Sequence, residues 1–292
     1  MRVGYFLRVL VKKEFFINKA YLPDEYLEDV KITGELVRLL RDQEADLFTY
    51  VERTFLENSK VALINGALRD TDDIALLKVD SYEEWWQRIG RKTRNMIKKA
   101  EKSGVKVEII NEVTDSLAKG IWKIYNETPI RQDRYFSHYG ISYEEVKSGL
   151  ISRVNSDLLC AFWQGQVIGF SVLEYGDKVA AVSQILSLTK HLDKAPNNAL
   201  IAKMVERSVQ RNIHNIIYAR MGKFHETLTQ FKKHHGFITY YLPRYYIPLT
   251  RRGNVAIKLK LHKPFKDTVP EIIGRPLLPL FNLLSSKLRL SL

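Results

Sequence analysis

The spacing of apolar residues changes once, sharply, along the chain. Before residue 81, short apolar runs alternate with polar, turn-rich stretches such as the segment from Arg69 to Asp73. From Ser81 onward, apolar residues recur at helical spacing over about five turns. Ser81 and Glu84 form a capping box, and Gly104 supplies a stop. The pattern predicts a small sheet, with strands at 47–55, 61–68 and 74–79, followed by one continuous helix over residues 81–103.

The remainder of the chain predicts a mixed sheet. Short turns at Gln164-Gly165 and Gly176-Asp177 favour hairpins, and a late βαβ unit requires at least one parallel pair of strands. Such a sheet needs helices on both faces. The predicted strands are 105–110, 157–163, 167–175, 179–188, 215–221 and 237–247, and the predicted helices are 113–126, 142–154, 198–211 and 224–235.

This order predicts an α/β fold in three parts. A small α/β N-terminal subdomain would occupy residues 1–80, and a mixed sheet flanked by helices would occupy residues 81–248. A basic and apolar extension would follow at 249–292. Within it, the apolar residues from Pro270 to Leu292 are too interrupted to span a bilayer, so we expect them to pack on protein or to lie in a membrane interface.

The balance of charge predicts an anionic partner. The chain of 292 residues has 46 Lys and Arg against 33 Asp and Glu, a formal net charge of +13. Much of the excess lies in the leading helix, which suits a polyphosphate, an RNA backbone such as tRNA, or an anionic membrane surface. A solvated basic face is the alternative. The basic residues there are Arg88, Arg91, Lys92, Arg94, Lys98, Lys99 and Lys102, against the single acid Glu101.

Cysteine and histidine usage points to a reducing compartment and to a site without metal. Cys160 is the only cysteine, so no intrachain disulfide can form. We therefore expect a cytoplasmic protein, either free or peripheral at the membrane. His225, His234 and His235 lack the paired spacing of a zinc site, and we expect no metal.

Three segments resemble FemABX-like proteins, the peptidoglycan-bridge and acetyltransferase-like branch of the GNAT-fold N-acyltransferases. They are the basic helix from Ile89 to Val105, the residues Pro196-Asn197-Asn198, and the segment from Gln230 to Phe237. The resemblance implies a GNAT-like domain that transfers an acyl or aminoacyl group from acyl-CoA or aminoacyl-tRNA to an amine. GNAT enzymes usually hold the CoA pyrophosphate with a glycine-rich loop. The corresponding segment here, 188–197, contains no glycine and argues against ordinary acetyl-CoA.

A segment between two predicted helices, from Asn126 to Tyr135, lies where a GNAT fold binds its acceptor. Arg131 and Arg134 are candidates to bind a carboxylate or phosphate. Glu127 or Asp133 is a candidate to take the proton of the amine. We expect the two arginines to be exposed and to contribute little to folding. A surface loop held by its own salt bridges is the alternative interpretation.

Further candidates lie on the later strands and helices. Gln184, in an apolar strand, would orient the acyl carbonyl or satisfy neighbouring backbone. Asn197 and Asn198 would cap a helix or bind an anion at its start. Arg220 and Lys232 would flank the place where GNAT strands four and five separate, although Lys232 could also be a solvated helix residue.

Two functions remain open at this point. The first is an acyltransferase or aminoacyltransferase that forms an amide on an amine acceptor. The second is a non-catalytic module on a GNAT scaffold that binds RNA or an anionic membrane.

Overall fold

The computed structural model describes residues 9–14, 16–23, 25–27, 32–56, 66–131, 134–221 and 226–263. These fall into two compact units. The first runs to Ile74 and resumes at Thr239, and the second runs from Ala75 to Ile238. Asp133, His225 and the tail from Pro270 lie outside the described residues, as does most of the strand predicted at 61–68.

The helices and strands follow in this chain order: β1 (Leu10–Glu14), β2 (Ile17–Tyr21), α1 (Gly34–Asp42), β3 (Leu47–Val51), β4 (Leu68–Lys78), α2 (Tyr82–Arg88), α3 (Arg91–Lys102), β5 (Lys106–Ile110), α4 (Asp115–Tyr125), β6 (Ile130–Arg131), β7 (Arg134–Tyr135), α5 (Tyr143–Ile151), β8 (Ser156–Trp163), β9 (Gln166–Tyr175), β10 (Val179–Ser187), a 3-10 helix (Thr189–Lys194), α6 (Pro196–Gln210), β11 (Asn215–Ile217), α7 (Glu226–His234), β12 (Ile238–Pro248) and α8 (Arg251–Lys258). None of the described helices is both long and apolar enough to cross a bilayer.

In the first unit, strands β1, β2, β3 and β12 lie side by side in that order. Only the β2–β3 pair among them is parallel. Helix α1 begins after Thr33, whose side chain accepts a hydrogen bond from the backbone of Leu36, and it buries Leu36 and Leu40. These leucines pack with Phe48 and Tyr50 of β3 in the core of this unit.

The turn predicted at residues 69–73 is wrong, because those residues belong to β4. Its polar side chains have partners of opposite charge. Asp72 contacts Arg244 at 2.6 Å, and Asp70 contacts Lys263 at 2.6 Å. Polar character alone therefore does not distinguish a turn from a strand, since a strand can carry acids when each is paired.

In the second unit, the strands follow the order β4, β11, β10, β9, β8 and β5. All neighbours are antiparallel except β10 and β11, which are parallel as predicted. Successive residues of β8 pack on opposite faces. Leu159 and Ala161 join a core with α6, whereas Leu158 and Cys160 join a core with α4 and α5. The predicted mixed sheet with helices on both faces is confirmed.

The predicted continuous helix over residues 81–103 is two helices. Ser81 caps α2 as expected, but the chain leaves the helical conformation at Ile89, whose ψ is 145°. Gly90 then precedes α3. Ile89 is only 2% exposed. It lies four residues after the buried Trp85 and joins the same core, and the helix is interrupted at the Ile89-Gly90 step. Within α2, Trp85 is fully buried and donates a hydrogen bond from its indole nitrogen to the His235 carbonyl, at 2.9 Å.

We predict that Gly253→Ala unfolds the first unit more readily. A Cβ atom at Gly253 of α8 would lie 2.0 Å from the Asp46 carbonyl oxygen, so the backbone must move. Overpacking of this kind costs about 1–3 kcal/mol. The measurement is the free energy of unfolding in urea.

Gly149→Ala is the matched control, because Gly149 also lies in a helix and nothing is within 4 Å of its added Cβ. It should be neutral or stabilising by about 0.5–1 kcal/mol. Equal stability of the Gly253→Ala variant and the wild type would contradict the packing of α8.

Candidate functional site

Strand β10 contains a bulge that changes the face to which its later side chains point. Val182 pairs with Leu173 of β9, and Gln184 pairs with the next residue, Val172. Ser183 is the extra residue. Since Val172 belongs to the core under α4 and α5, Gln184 lies on that face as well. Without the bulge, Gln184 would lie on the opposite face, under α6.

The side chain of Gln184 is held by two donors. The Tyr125 hydroxyl donates to its Oε1 at 2.6 Å, and Nη2 of Arg153 donates to the same oxygen at 3.2 Å. Arginine can only donate hydrogen bonds, so the Gln184 atom that Arg153 contacts is the amide oxygen. The amide nitrogen of Gln184 makes no hydrogen bond to the described residues. The two hydrogen bonds to its oxygen orient this amide, and its two N–H groups keep their capacity to donate. Burial raises the pKa of Tyr125, which therefore stays protonated as a donor.

The sheet opens beside this position. Strands β10 and β11 pair only over Val179 to Ala181, so the rest of β10 separates from β11. Lys232 of α7 lies near the end of β11, where its Nζ donates to the Arg220 carbonyl at 2.8 Å and sits 4.4 Å from the centre of the Tyr218 ring. The lysine is 2% exposed. Lys232 is therefore a buried cation at the strand opening and not a solvated helix residue.

Glu127 and Arg131 come together at the end of β10. Arg131 donates to the carbonyl oxygens of Ser187, at 2.8 Å, and of Ile124. Its side chain is 16% exposed and lies 3.5 Å from Glu127. The prediction that Arg131 is exposed is wrong, because its guanidinium is packed against the end of the strand.

Glu127 holds the start of the 3-10 helix. Its carboxylate accepts hydrogen bonds from the backbone nitrogens of Thr189, at 2.6 Å, and Lys190, at 3.3 Å. Burial acts to raise the pKa of Glu127, but these bonds and the charge of Arg131 outweigh it and hold the pKa below its usual value. A carboxylate of low pKa is a weak base. Its interactions here are those of a structural cap.

An open groove of about 880 Å³ lies between α4 and the β8–β9 hairpin. Lys119 and Lys123 of α4 line it together with Lys190, and Phe162, Val167 and Leu188 supply apolar walls. Asn126 and Glu127 close the end that adjoins the Arg131 loop. The segment that follows α4 therefore contributes to the groove and also contacts the end of the bulged strand.

Asn197 and Asn198 lie in the first turn of α6 and do not cap it, so the capping interpretation is wrong. Ala195, with a φ of 54°, is the capping residue, and Pro196 opens the helix. Asn198 instead donates to Nε2 of His235 at 3.2 Å, while Nδ1 of that ring donates to the Phe231 carbonyl at 2.7 Å. Burial lowers the pKa of His235 to about 4, so the ring is neutral. Asn198 ties α6 to the end of α7.

The remaining predicted residues are dispersed or lie beyond the described atoms. Arg94 contacts the end of α2, at the Trp86 carbonyl and the Gln87 side chain, each at 3.4 Å. Asn197 lies in the first turn of α6, and its Oδ1 is buried without a hydrogen bond to the described residues. The Arg134 backbone pairs with Arg131 in a two-residue ladder. The Arg134 side chain and Asp133 lie outside the described atoms.

Sequence reasoning did not find Tyr125, Arg153 or Ser183. Tyr125 and Arg153 fall at helix ends, where polar and aromatic residues are common. No pattern in the sequence marks Ser183 as an extra residue, because a bulge depends on the pairing of two strands.

Comparisons with known proteins place the fold. No family model matches the chain, and no curated protein matches its sequence. Among solved structures, FemX is 12% identical, with a TM-score of 0.56 over 86% of this chain and 85% of FemX. The chain has the fold of FemX. L-PGS from Bacillus licheniformis is 11% identical, with a TM-score of 0.57 over 86% of this chain and 84% of its own.

A third similar structure is the C-terminal domain of a protein assigned as a lysylphosphatidylglycerol synthetase from Agrobacterium fabrum. It is 12% identical, with a TM-score of 0.54 over 86% of this chain and 83% of that domain. The predicted resemblance to the GNAT-like, FemABX-related proteins is thereby confirmed at the level of the fold.

We predict that Glu127→Gln destabilises this FemX-like fold at neutral pH and not in acid. The folded-state pKa of Glu127 is below its unfolded value. The stabilisation it gives is therefore complete above the unfolded pKa, and it disappears as the pH falls through the folded pKa. Loss of a carboxylate cap costs about 0.5–2 kcal/mol. The measurement is the melting temperature of both proteins between pH 7 and pH 3.

Glu112→Gln, at an exposed carboxylate that also lines the groove, is the control and should leave the melting temperature unchanged. A difference between wild type and Glu127→Gln that is constant across this pH range would contradict the role of the charge.

Proposed function

We propose that the protein is an acyltransferase, and more specifically an aminoacyltransferase, that acts on an amine or lipid acceptor. The observation that carries the proposal is the Gln184 amide, whose oxygen is held by Tyr125 and Arg153 and whose N–H groups are left for a ligand. Donors fixed before the reaction are what an acyl-transfer site needs at the carbonyl oxygen.

The chemistry follows from the groups that must meet there. An acceptor amine attacks the carbonyl carbon of the donor and forms a C–N bond, whereas a lipid hydroxyl attacks it and forms a C–O bond. In both cases the ester C–O bond to the carrier breaks, and the proton lost by the acceptor ends on the leaving oxygen. During the attack the carbonyl oxygen gains negative charge, and the N–H groups of Gln184 stabilise it at about 2.7–3.1 Å.

A second group assigned to the donor is the buried lysine at the strand opening, whose partner Tyr218 lies in the α6 core, on the face of the sheet opposite Gln184. Lys232 lies beside Tyr218 and the Arg220 carbonyl, where β11 leaves β10. A cation in a site of low dielectric attracts an anionic group more strongly than the same cation does in water. We assign to Lys232 the binding of an anionic group of the donor, and to Arg220 the binding of the donor's phosphates.

Glu127 and Asp133 are the two carboxylates that the sequence predicts as acceptors of the amine's proton. Glu127 is engaged as a cap, and its low pKa disfavours a role as base. Asp133, outside the described residues, remains the candidate to take the proton of the amine. Arg131 forms the wall of the acceptor loop, and Arg134 remains a candidate to bind the acceptor.

Aminoacyl-tRNA suits the site better than acyl-CoA does. The backbone nitrogens of Thr189 and Lys190, after the fourth strand of the GNAT-like order, are already occupied by Glu127. A pyrophosphate would have to displace that carboxylate. The name of the Agrobacterium fabrum protein describes lysyl transfer to phosphatidylglycerol, and a lipid acceptor is accordingly included in the proposal.

We predict that Gln184→Glu abolishes transfer while the protein stays folded. Glutamate keeps the oxygens that Tyr125 and Arg153 bind, but it has no N–H group to donate. Removal of one such donor lowers kcat by about 10²–10³-fold. The assay follows radiolabelled amino acids from charged total tRNA into lipids and into small amines, with radiolabelled acyl-CoA as a parallel donor.

Gln43→Glu, at an exposed position after α1, adds the same charge and should transfer normally. Transfer by Gln184→Glu at the wild-type rate would refute the assignment of Gln184. A wild-type protein that transfers from neither donor would refute the proposed function.

One observation favours the second function, a module that binds a polyanion. The outer face of α3 exposes Arg91, Lys92, Lys98, Lys99 and Lys102. None of them forms an ion pair with a described residue. Lys98 lies 5.9 Å from the centre of the Trp86 ring, so the face combines charge with a partly exposed aromatic side chain. Such a surface suits a phosphate backbone or anionic headgroups.

We predict that Lys98→Glu/Lys99→Glu/Lys102→Glu loses binding to tRNA or to anionic vesicles. The control, Lys12→Glu/Lys13→Glu/Lys258→Glu, changes three other exposed lysines and gives the same net charge. Wild-type binding should weaken steeply with salt, because counterions are released on association. Binding is measured by fluorescence titration at two salt concentrations. An equal loss in both variants would show that total charge, and not α3, is responsible.

A further inference from the structure

The groove between α4 and the β8–β9 hairpin has a feature that the transfer chemistry does not use. Lys123 and Lys190 both line it, and neither forms an ion pair or side-chain hydrogen bond with a described residue. Both are exposed. Two unpaired ammonium groups at one concave surface repel each other unless an anion lies between them.

The acidic residues of the groove do not supply that anion. The Glu127 carboxylate already accepts hydrogen bonds from the backbone nitrogens of Thr189 and Lys190 and is paired with Arg131. Glu112 is the other carboxylate in the lining. The lining contains three lysines, since Lys119 joins the other two, and Glu112 is its one acid without these bonds. The groove therefore carries net positive charge.

The groove is lined by apolar side chains as well as by lysines. Phe162, Val167 and Leu188 form part of the lining. The helix and the hairpin are in close contact at Gly120, where an added Cβ would lie 3.2 Å from Cβ of Val167. Glycine at this position lets α4 lie close to the hairpin. An occupant of such a groove is a molecule with a phosphate group and an apolar or aromatic part.

The groove leads toward the bulged strand. Leu188 lines it, and Gln184 lies four residues earlier on β10, which is about 13 Å along an extended chain. A substrate of ordinary size can therefore reach both places at once.

We propose that Lys123 and Lys190 bind a phosphate group of one substrate, while Phe162, Val167 and Leu188 contact its apolar or aromatic part. The inference rests on the proposed function for the identity of that ligand as a substrate. The shared chemistry is a phosphate ester, which the 3′ end of a tRNA and a phospholipid headgroup both carry.

The experiment measures binding of soluble phosphate esters by calorimetry. Adenosine monophosphate represents the nucleotide, and dihexanoyl phosphatidylglycerol, below its micellar concentration, represents the lipid. Adenosine is the probe without phosphate. We expect one phosphate ester to bind, adenosine to bind at least tenfold more weakly, and Lys123→Gln/Lys190→Gln to lose about tenfold or more in affinity for the ester. The tighter of the two esters identifies the source of the phosphate.

Lys12→Gln/Lys13→Gln is the matched control, with the same loss of charge at exposed positions of β1, and it should bind like the wild type. Binding of neither ester, or equal binding by the wild type and Lys123→Gln/Lys190→Gln, would overturn the inference.

Failure of this inference is distinguishable from failure of the proposed function. Lysine-dependent phosphate binding without transfer from any donor would refute the transferase and leave the phosphate site standing. Normal transfer by Lys123→Gln/Lys190→Gln would refute the phosphate site and leave the transferase standing.

Discussion

Side chains of a β-strand alternate between the two faces of the sheet, so one extra residue moves every later side chain to the other face. In β10 that residue is Ser183. Before it, Ala180 and Val182 pack under α6, and after it Gln184 faces α4 and α5. The bulge thus takes a polar side chain out of one apolar core and brings it to two hydrogen-bond donors. The role proposed for Gln184 depends on this shift, because only on that face are Tyr125 and Arg153 within reach.

The same region is stabilised by polar groups that satisfy one another. Glu127 binds the start of the 3-10 helix and Arg131, and Arg131 binds the end of β10. The loop after α4 and the segment after β10 are therefore held as one assembly. These bonds leave Arg131 largely buried and hold the pKa of Glu127 below its usual value. The pairing is incomplete, because Nε of Arg131 is buried without a hydrogen bond to the described residues.

The fold could be predicted further than the site. Periodicity located β8, β9, β10, α4 and α6 because their apolar residues face well-defined cores. It failed at residues 69–73, where acids are paired across long sequence separations, and at Ile89-Gly90, because apolar periodicity continued through a glycine of low helix propensity at which the helix is interrupted. Gln184 was found because a polar residue in an apolar strand is unusual. Its partners and the orientation of its amide depend on strand register, which a single sequence does not display.

The most direct test is a crystal structure with a stable donor analogue, an adenosine 5′-phosphate that carries an amino acid on its 3′ nitrogen through an amide. The account predicts that the amino-acid carbonyl oxygen lies about 2.7–3.1 Å from Nε2 of Gln184, the distance at which such donors act. It also predicts that Tyr125 and Arg153 keep their bonds to the amide oxygen. A carbonyl bound elsewhere, or a Gln184 amide turned to donate to the protein, would contradict it.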